Sequence, residues 1–355
     1  MSQQSHLSFG PRAVGHAHPC FIIAEAGVNH NGDLDIARRL IDVAAEAGAD
    51  AVKFQTFRTD RLAARSAAKA AYQRETTDAD ESQAAMLARL ELSPESHEVL
   101  IAHCRDKGIM FMSTPFDEES ADLLHRLGVP GFKISSGDLT NLPFLAHVAR
   151  LGLPLIISTG MATLGEVEEA VRTIETAGCS GLAILHCVSS YPAETADVNL
   201  RAMQTLRDAF RHPVGYSDHT LGIEVSLAAV ALGACVIEKH FTLDTRMAGP
   251  DHRASLEPAW LASLVAGIRT VEQCLGDGVK RPRPVELGVA AVARKSLFWA
   301  DDLARGETVT AGSLIALRPS SGLHPRVRDS LVGRRLARPV HGGEPVREAD
   351  LEEPS

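Results

Sequence analysis

The chain has 355 residues, 45% of them hydrophobic, and a formal charge of −9. That length suits about two domains, and the acidic balance argues against a nucleic-acid or membrane-surface role for the whole protein. No apolar run reaches the ~20 residues a bilayer span needs and the start shows no charged-then-apolar leader pattern, so a soluble cytoplasmic α/β protein is expected.

Residues 1–20 are polar and turn-rich and read as an N-terminal hairpin or cap. From Phe21 short apolar runs recur at 21–27, 50–56, 109–114, 131–137, 153–159, 182–190, 213–219 and 235–241. Amphipathic segments such as 34–49, 118–128, 164–178 and 222–234 lie between them, with a closing helix at about 256–275. Apolar strands alternating with helices imply parallel strands covered on their outer face. Eight units over 21–275 predict an α/β fold of the (β/α)8 type, a TIM barrel. A doubly wound open sheet is the alternative, weakened because no G-x-G-x-x-G follows a strand. The six cysteines (20, 104, 179, 187, 235 and 274) form no C-x-x-C pair and read as reduced structural thiols. Residues 276–289, rich in Gly, Pro and charge, read as a linker, and 290–355 as a small irregular β domain. That last segment gathers Arg318, Arg326, Arg328, Arg334, Arg335 and Arg338, which suit an anion or an acidic surface as well as an ordinary solvated face.

A barrel places its active site at the C-terminal strand ends. There the chain puts Glu25 and Asn29; Lys53 and Gln55; Thr114; Lys133, Ser136 and Asp138; Ser158 and Thr159; His186, Ser189, Ser190 and Tyr191; Ser217, Asp218 and His219; Glu238 and His240. Any one of these is more often a satisfied buried polar group, but that reading does not account for eight strand ends at once. Lys53 and Lys133 with the hydroxyls of Ser136, Ser158, Ser189 and Ser217 suit a phosphate or carboxylate. The competing reading, a Schiff-base lysine at Lys133, needs a desolvated neutral amine. His219 and His240 can ligate a divalent cation with water and substrate in the open positions, or serve as plain hydrogen-bonding groups. Glu25, Asp218 and Glu238 can orient those rings or move protons. The residues alone predict metal-assisted addition or cleavage on a phosphorylated substrate.

The motifs AEAGVNHNG (24–32), DAVKFQTF (50–57), STPFD (113–117), KISSGDLTN (133–141), STGMAT (158–163), HCVSSYPA (186–193), GYSDHTLG (215–222), EKHFTLD (238–244) and GPDHRASLEP (249–258) occur in order. Together they resemble the sialic acid (nonulosonate) synthase family, and 296–325 looks like the small SAF domain that this family shares with type III antifreeze proteins. The resemblance implies condensation of phosphoenolpyruvate with an N-acetylated hexosamine, N-acetylmannosamine first, with synthases for legionaminate, pseudaminate or sialate 9-phosphate as alternatives and a Schiff-base lyase behind them. It implies that Glu25, Lys53, Gln55 and Glu238 are catalytic. Lys53, Thr114, Lys133, Ser136, Ser158, Ser189 and Ser217 would hold phosphoenolpyruvate. Glu25, Gln55, Tyr191, Asp251 and Arg318 would contact the sugar, and His219 and His240 a divalent metal, Mn2+ with Mg2+ or Co2+ as substitutes. It also implies a domain-swapped homodimer, with Arg318 reaching the partner's barrel, and a loop at about 58–82 closing over the sugar. A third class, a carbohydrate- or ice-binding module on an inactive barrel, suits an arginine-rich tail poorly.

Overall fold

The computed structural model describes residues 6–64, 67–69, 74, 77–78 and 81–353; the other positions of the loop at 58–82 lie outside the described residues. It divides into two compact units, Met1–Gly276 and Asp277–Ser355. In the first, β1 (His6–Phe9) and β2 (Arg12–Gly15) pair as an antiparallel hairpin. Eight parallel strands follow: β3 (Phe21–Gly27), β4 (Ala51–Thr56), β5 (Met110–Pro115), β6 (Phe132–Ile134), β7 (Leu155–Ser158), β8 (Leu182–Cys187), β9 (Val214–Asp218) and β10 (Val236–His240). Their order is β5-β4-β3-β10-β9-β8-β7-β6, and β5 packs beside β6 to form a nearly closed barrel.

One long helix follows each barrel strand: α1 (Leu34–Glu46), α2 (Pro94–Lys107), α3 (Glu118–Arg126), α4 (Leu142–Arg150), α5 (Leu164–Ala177), α6 (Ala202–Phe210), α7 (Glu224–Ala231) and α8 (Pro258–Leu275). Local chemistry fixes where several begin. Asp33, Ser93 and Asp117 cap α1, α2 and α3 by accepting first-turn amides, and Thr163 closes a capping box with Glu166 on α5.

Strand alternation sorts the side chains into two sets. Ile22, Ala24, Val52, Phe54, Phe111, Phe132, Ile157, Ile184 and Ile237 point outward into the main core under the helices. The inward residues at the N-terminal end, Phe21, Ile23, Ala51, Met112, Ile156, Ala183, Leu185 and Val236, form a second apolar cluster inside the barrel. Leu7, Phe9 and Val14 of the hairpin join that cluster, with the Phe9 ring stacked on Phe21 at 5.5 Å. Gly131 makes room for it, since a Cβ there would stand 2.3 Å from the Phe9 ring. One mouth is therefore closed by apolar side chains, and the inward positions at the other mouth are free to be polar.

The second unit holds α9 (Glu286–Ala293) and an antiparallel pair, β11 (Ser296–Trp299) and β12 (Leu314–Leu317). The segment read as linker, 276–289, thus contains the start of a helix. The core of this unit is Leu297, Trp299, Val309, Leu314, Leu331, Leu336, Val340, Val346 and Leu351, and the Trp299 indole donates to Asp350 at 3.3 Å. Several of the clustered arginines serve the unit itself. Arg338 pairs with Asp350 at 2.7 Å, Arg334 pairs with Glu348, and Arg328 donates to the Ala311 carbonyl at 2.7 Å. A unit with so small a core uses such bonds to hold its turns.

Candidate active site

Above the apolar floor the inward positions become charged. Lys53 Nζ stands 2.7 Å from Glu25 Oε2, donates to Thr114 Oγ1 at 2.8 Å and lies 3.8 Å from Glu238 Oε2. Lys133 Nζ donates to Ser158 Oγ at 2.6 Å and to its own strand's Ile134 carbonyl at 3.0 Å, with Glu238 Oε1 at 3.7 Å. Ser217 Oγ donates to Glu238 Oε1 at 3.2 Å. Glu238 therefore sits between two ammonium groups, and all four charged side chains are buried. Ser136 and Ser189 join the same side through Gly160. Its amide donates to Ser136 Oγ at 3.0 Å, and a Cβ there would stand 2.2 Å from Ser189 Oγ.

His219 and His240 close the other side, their ring centroids 5.5 Å apart. His219 Nδ1 donates to the Val188 carbonyl at 2.7 Å, so Nε2 faces away from that bond and carries the lone pair when the ring is neutral. His240 Nδ1 is buried without a hydrogen-bond partner. Gly27 leaves a space that a Cβ would fill, 3.3 Å from Glu25 Oε1, 3.4 Å from His240 Cε1 and 3.5 Å from Gln55 Nε2. An orphaned imidazole nitrogen beside a carboxylate fits a divalent cation that takes its remaining ligands from substrate and water. Among the described residues no group of three or more His, Cys, Asp or Glu side chains is arranged to hold a metal. Tyr191 lies over the pair, 4.1 Å from the His219 ring and 5.6 Å from His240.

Burial and charge set the protonation of this ring. Burial raises the Glu25 carboxyl to about 7, although Lys53 opposes it. Glu238 is pushed up by burial too, but Lys133, Lys53 and His219 outweigh that and hold it below its usual value. Burial lowers Lys133, whereas Glu238 and Glu25 overcome burial and raise Lys53. His240 is driven well below the ordinary histidine range by burial and by His219. Burial also lifts Asp251 to about 6. A group balanced near neutrality beside one held ionised is the arrangement acid–base chemistry needs.

Other rim residues do different work. Asp218 points outward, and His186 Nε2 donates to the Val198 carbonyl at 2.6 Å. Thr159 Oγ1 donates to the Leu185 carbonyl and Asp138 accepts from Ser135. Asn29 stitches two loops by donating to the Phe241 carbonyl at 2.8 Å and to Ser255 Oγ at 3.0 Å. His252 is buried against Thr242 at 2.6 Å. Arg318 is exposed in the second unit, in the turn after β12. Sequence alone assigns no role to Gly27, Gly160 or Lys239, although Lys239 stands between Glu238 and His240 at the end of an apolar run; for the glycines no signal exists, because their role is the absence of a side chain.

A family model described as the NeuB family matches residues 40–280, and a SAF domain model matches 294–352. The chain belongs to the NeuB family. It is 50% identical over 329 residues to the N,N'-diacetyllegionaminic acid synthase of Campylobacter jejuni, covering 92% of this chain and 98% of that one. The enzyme of the same name from Legionella pneumophila is 49% identical over 338 residues, covering 94% and 95%. Among solved structures, the N-acetylneuraminic acid (sialic acid) synthetase of Leptospira borgpetersenii superposes with a TM-score of 0.71 at 38% identity, covering 80% of this chain and 94% of that one. Eight barrel strands plus a SAF domain are thus the architecture of this NeuB-family chain, and no helix among its described residues is long and apolar enough to cross a membrane.

Proposed function

We propose that this NeuB-family chain is a nonulosonate synthase that condenses phosphoenolpyruvate with an N-acetylated hexosamine, releasing phosphate by C–O cleavage. The observation that carries this is the meeting, on one rim, of two buried lysines set among hydroxyls and two imidazoles, one of which, His240, has a buried unpartnered nitrogen. Lys53 and Lys133, with Thr114, Ser136, Ser158, Ser189 and Ser217, hold the carboxylate and phosphate of phosphoenolpyruvate. His219 and His240 hold a divalent metal, Mn2+ first, with Mg2+ or Co2+ able to substitute. When bound, that ion polarises the sugar's open-chain aldehyde. Gln55, Tyr191 and Asp251 fix the sugar so that its carbonyl carbon faces C3 of phosphoenolpyruvate. C3 attacks, water adds at C2, and phosphate leaves. Glu25, near pH 7 in its titration, passes a proton to the new hydroxyl, while Glu238 stays ionised between the lysines and offsets the positive charge that develops at C2.

The preferred sugar, on this reading, is a diacetamido one. Identities near 50% to two synthases named for a diacetyl product support it. A homodimer in which Arg318 enters the partner's barrel completes the site. Val285, Leu287, Val289 and Val292, 59–84% exposed along α9, are apolar surface that a second copy would cover.

Phosphate release tests this across N-acetylmannosamine, its 6-phosphate and diacetamido-dideoxy hexoses. The expected result is metal-dependent release, fastest with a diacetamido sugar. No release with any of them would refute the synthase reading, and a borohydride-trapped adduct with pyruvate at Lys133 would favour the lyase instead.

A further inference from the structure

Outside the barrel, behind the two imidazoles, lies a buried ion pair that the proposed chemistry does not use. Lys239 and Asp218 face each other across β10 and β9 as register partners. Their charged atoms are 2.9 Å apart, and both side chains are at most 2% exposed. The Asp218 carboxylate is saturated. Oδ1 accepts from the Thr220 amide at 2.9 Å and from Thr220 Oγ1 at 2.8 Å, and Oδ2 accepts from Ser226 Oγ on α7 at 2.6 Å. Lys239 Nζ also donates to the Thr220 carbonyl at 2.5 Å.

Each member adjoins one histidine. Asp218 precedes His219 and Thr220 follows it, so a single carboxylate clamps the backbone on both sides of that ring. Lys239 precedes His240, and alternation sends the two neighbours to opposite faces of β10. Two desolvated charges rarely stabilise a core more than apolar side chains of the same shape. A pair kept here, bonded to the residue that follows one histidine and tied to the strand of the other, acts on geometry.

We infer that Asp218 and Lys239 are positioning residues that set the separation and aim of His219 and His240, and with them the affinity for the divalent cation. This rests on the reading of the histidines as cation ligands. Partners of metal-binding groups commonly carry this role.

The test is titration of the full-length, metal-free protein with Mn2+, followed by the EPR signal of free Mn2+, alongside thermal melts. Lys239→Met and Asp218→Asn are expected to raise the Kd roughly 10–100-fold. Ser226→Ala, which removes one bond to Asp218 and is the milder change, should raise it in the same direction if the others fail to fold. Leu124→Ala on α3, a cavity variant between β5 and β6 on the far side of the barrel from β9 and β10, should lower Tm yet leave the Kd within about two-fold. Folded variants of the pair that bind Mn2+ as wild type does would overturn the inference alone. Wild-type protein that binds no Mn2+, Mg2+ or Co2+ would remove the cation reading and this inference with it.

Discussion

Lys53 and Lys133 are two buried cations facing two carboxylates, of which only Glu238 is firmly ionised near neutral pH. The ring therefore carries surplus positive charge, which an anionic substrate neutralises. Lys133→Met removes the cation beside Ser158 and should lower kcat/KM for phosphoenolpyruvate by roughly 100-fold, the scale of losing one preorganised charge. The sugar KM should move little; equal losses on both substrates would contradict the placement. Gly160→Ala is subtler. Its methyl would meet Ser189 Oγ at 2.2 Å and Ser136 Oγ at 2.9 Å, turning both hydroxyls out of place. The KM for phosphoenolpyruvate should rise about 10-fold, the worth of one or two hydrogen bonds, with Tm nearly unchanged. The charged residues of the rim are legible in the sequence because each ends a short apolar run. The Asp218–Lys239 pair is not, since nothing in one strand tells which face its partner on another strand will offer.

The strands are legible as elements because β-branched and apolar runs are short and evenly spaced, and α1, α3 and α5 because their apolar residues recur at helical intervals. Helix α2 is less so: its buried face is His97, Leu100 and Cys104, a pattern with little hydrophobic contrast. His97 bonds Thr56 Oγ1 at 2.8 Å, and that hydroxyl meets Ser113 Oγ at 2.6 Å, so α2 docks through a polar contact that periodicity cannot reveal. The hairpin β1–β2 makes the opposite case. Phe9 is fully buried on Phe21 and fills the floor beneath the charged ring. Phe9→Ala should cost about 3–5 kcal/mol by opening a cavity there. Denaturant unfolding checks it, and a loss below ~1 kcal/mol would mean that the hairpin does not seal the barrel.

For the molecule as a whole, buried titratable groups pull stability in opposite directions. His30 and His252 are fully buried and held near 4 by burial, against 6.5 when unfolded. Their contribution is full above pH 6.5 and is lost as pH falls towards 4, about 3 kcal/mol for each. Asp251 has the reverse sign. Burial raises it from 3.8 to about 6, so its penalty grows as pH rises through that window and is relieved on acidification. Glu25 follows Asp251 in direction. The two raised carboxyls of the candidate site thus cost stability at neutral pH and return it in mild acid, while His240 in the site and the two histidines beside it do the opposite. Wild-type protein, held metal-free with a chelator, should lose unfolding free energy between pH 7.5 and 4.5, because three depressed histidines, His240 among them, outweigh the two raised carboxyls. Asp251→Asn should be more stable at pH 7.5 and lose about 2 kcal/mol more than wild type does on acidification to pH 4.5. His252→Asn should lose less than wild type over the same range, whatever its stability at pH 7.5. Denaturant midpoints at the two pH values decide it: parallel shifts in all three proteins would mean that neither group titrates as its burial requires.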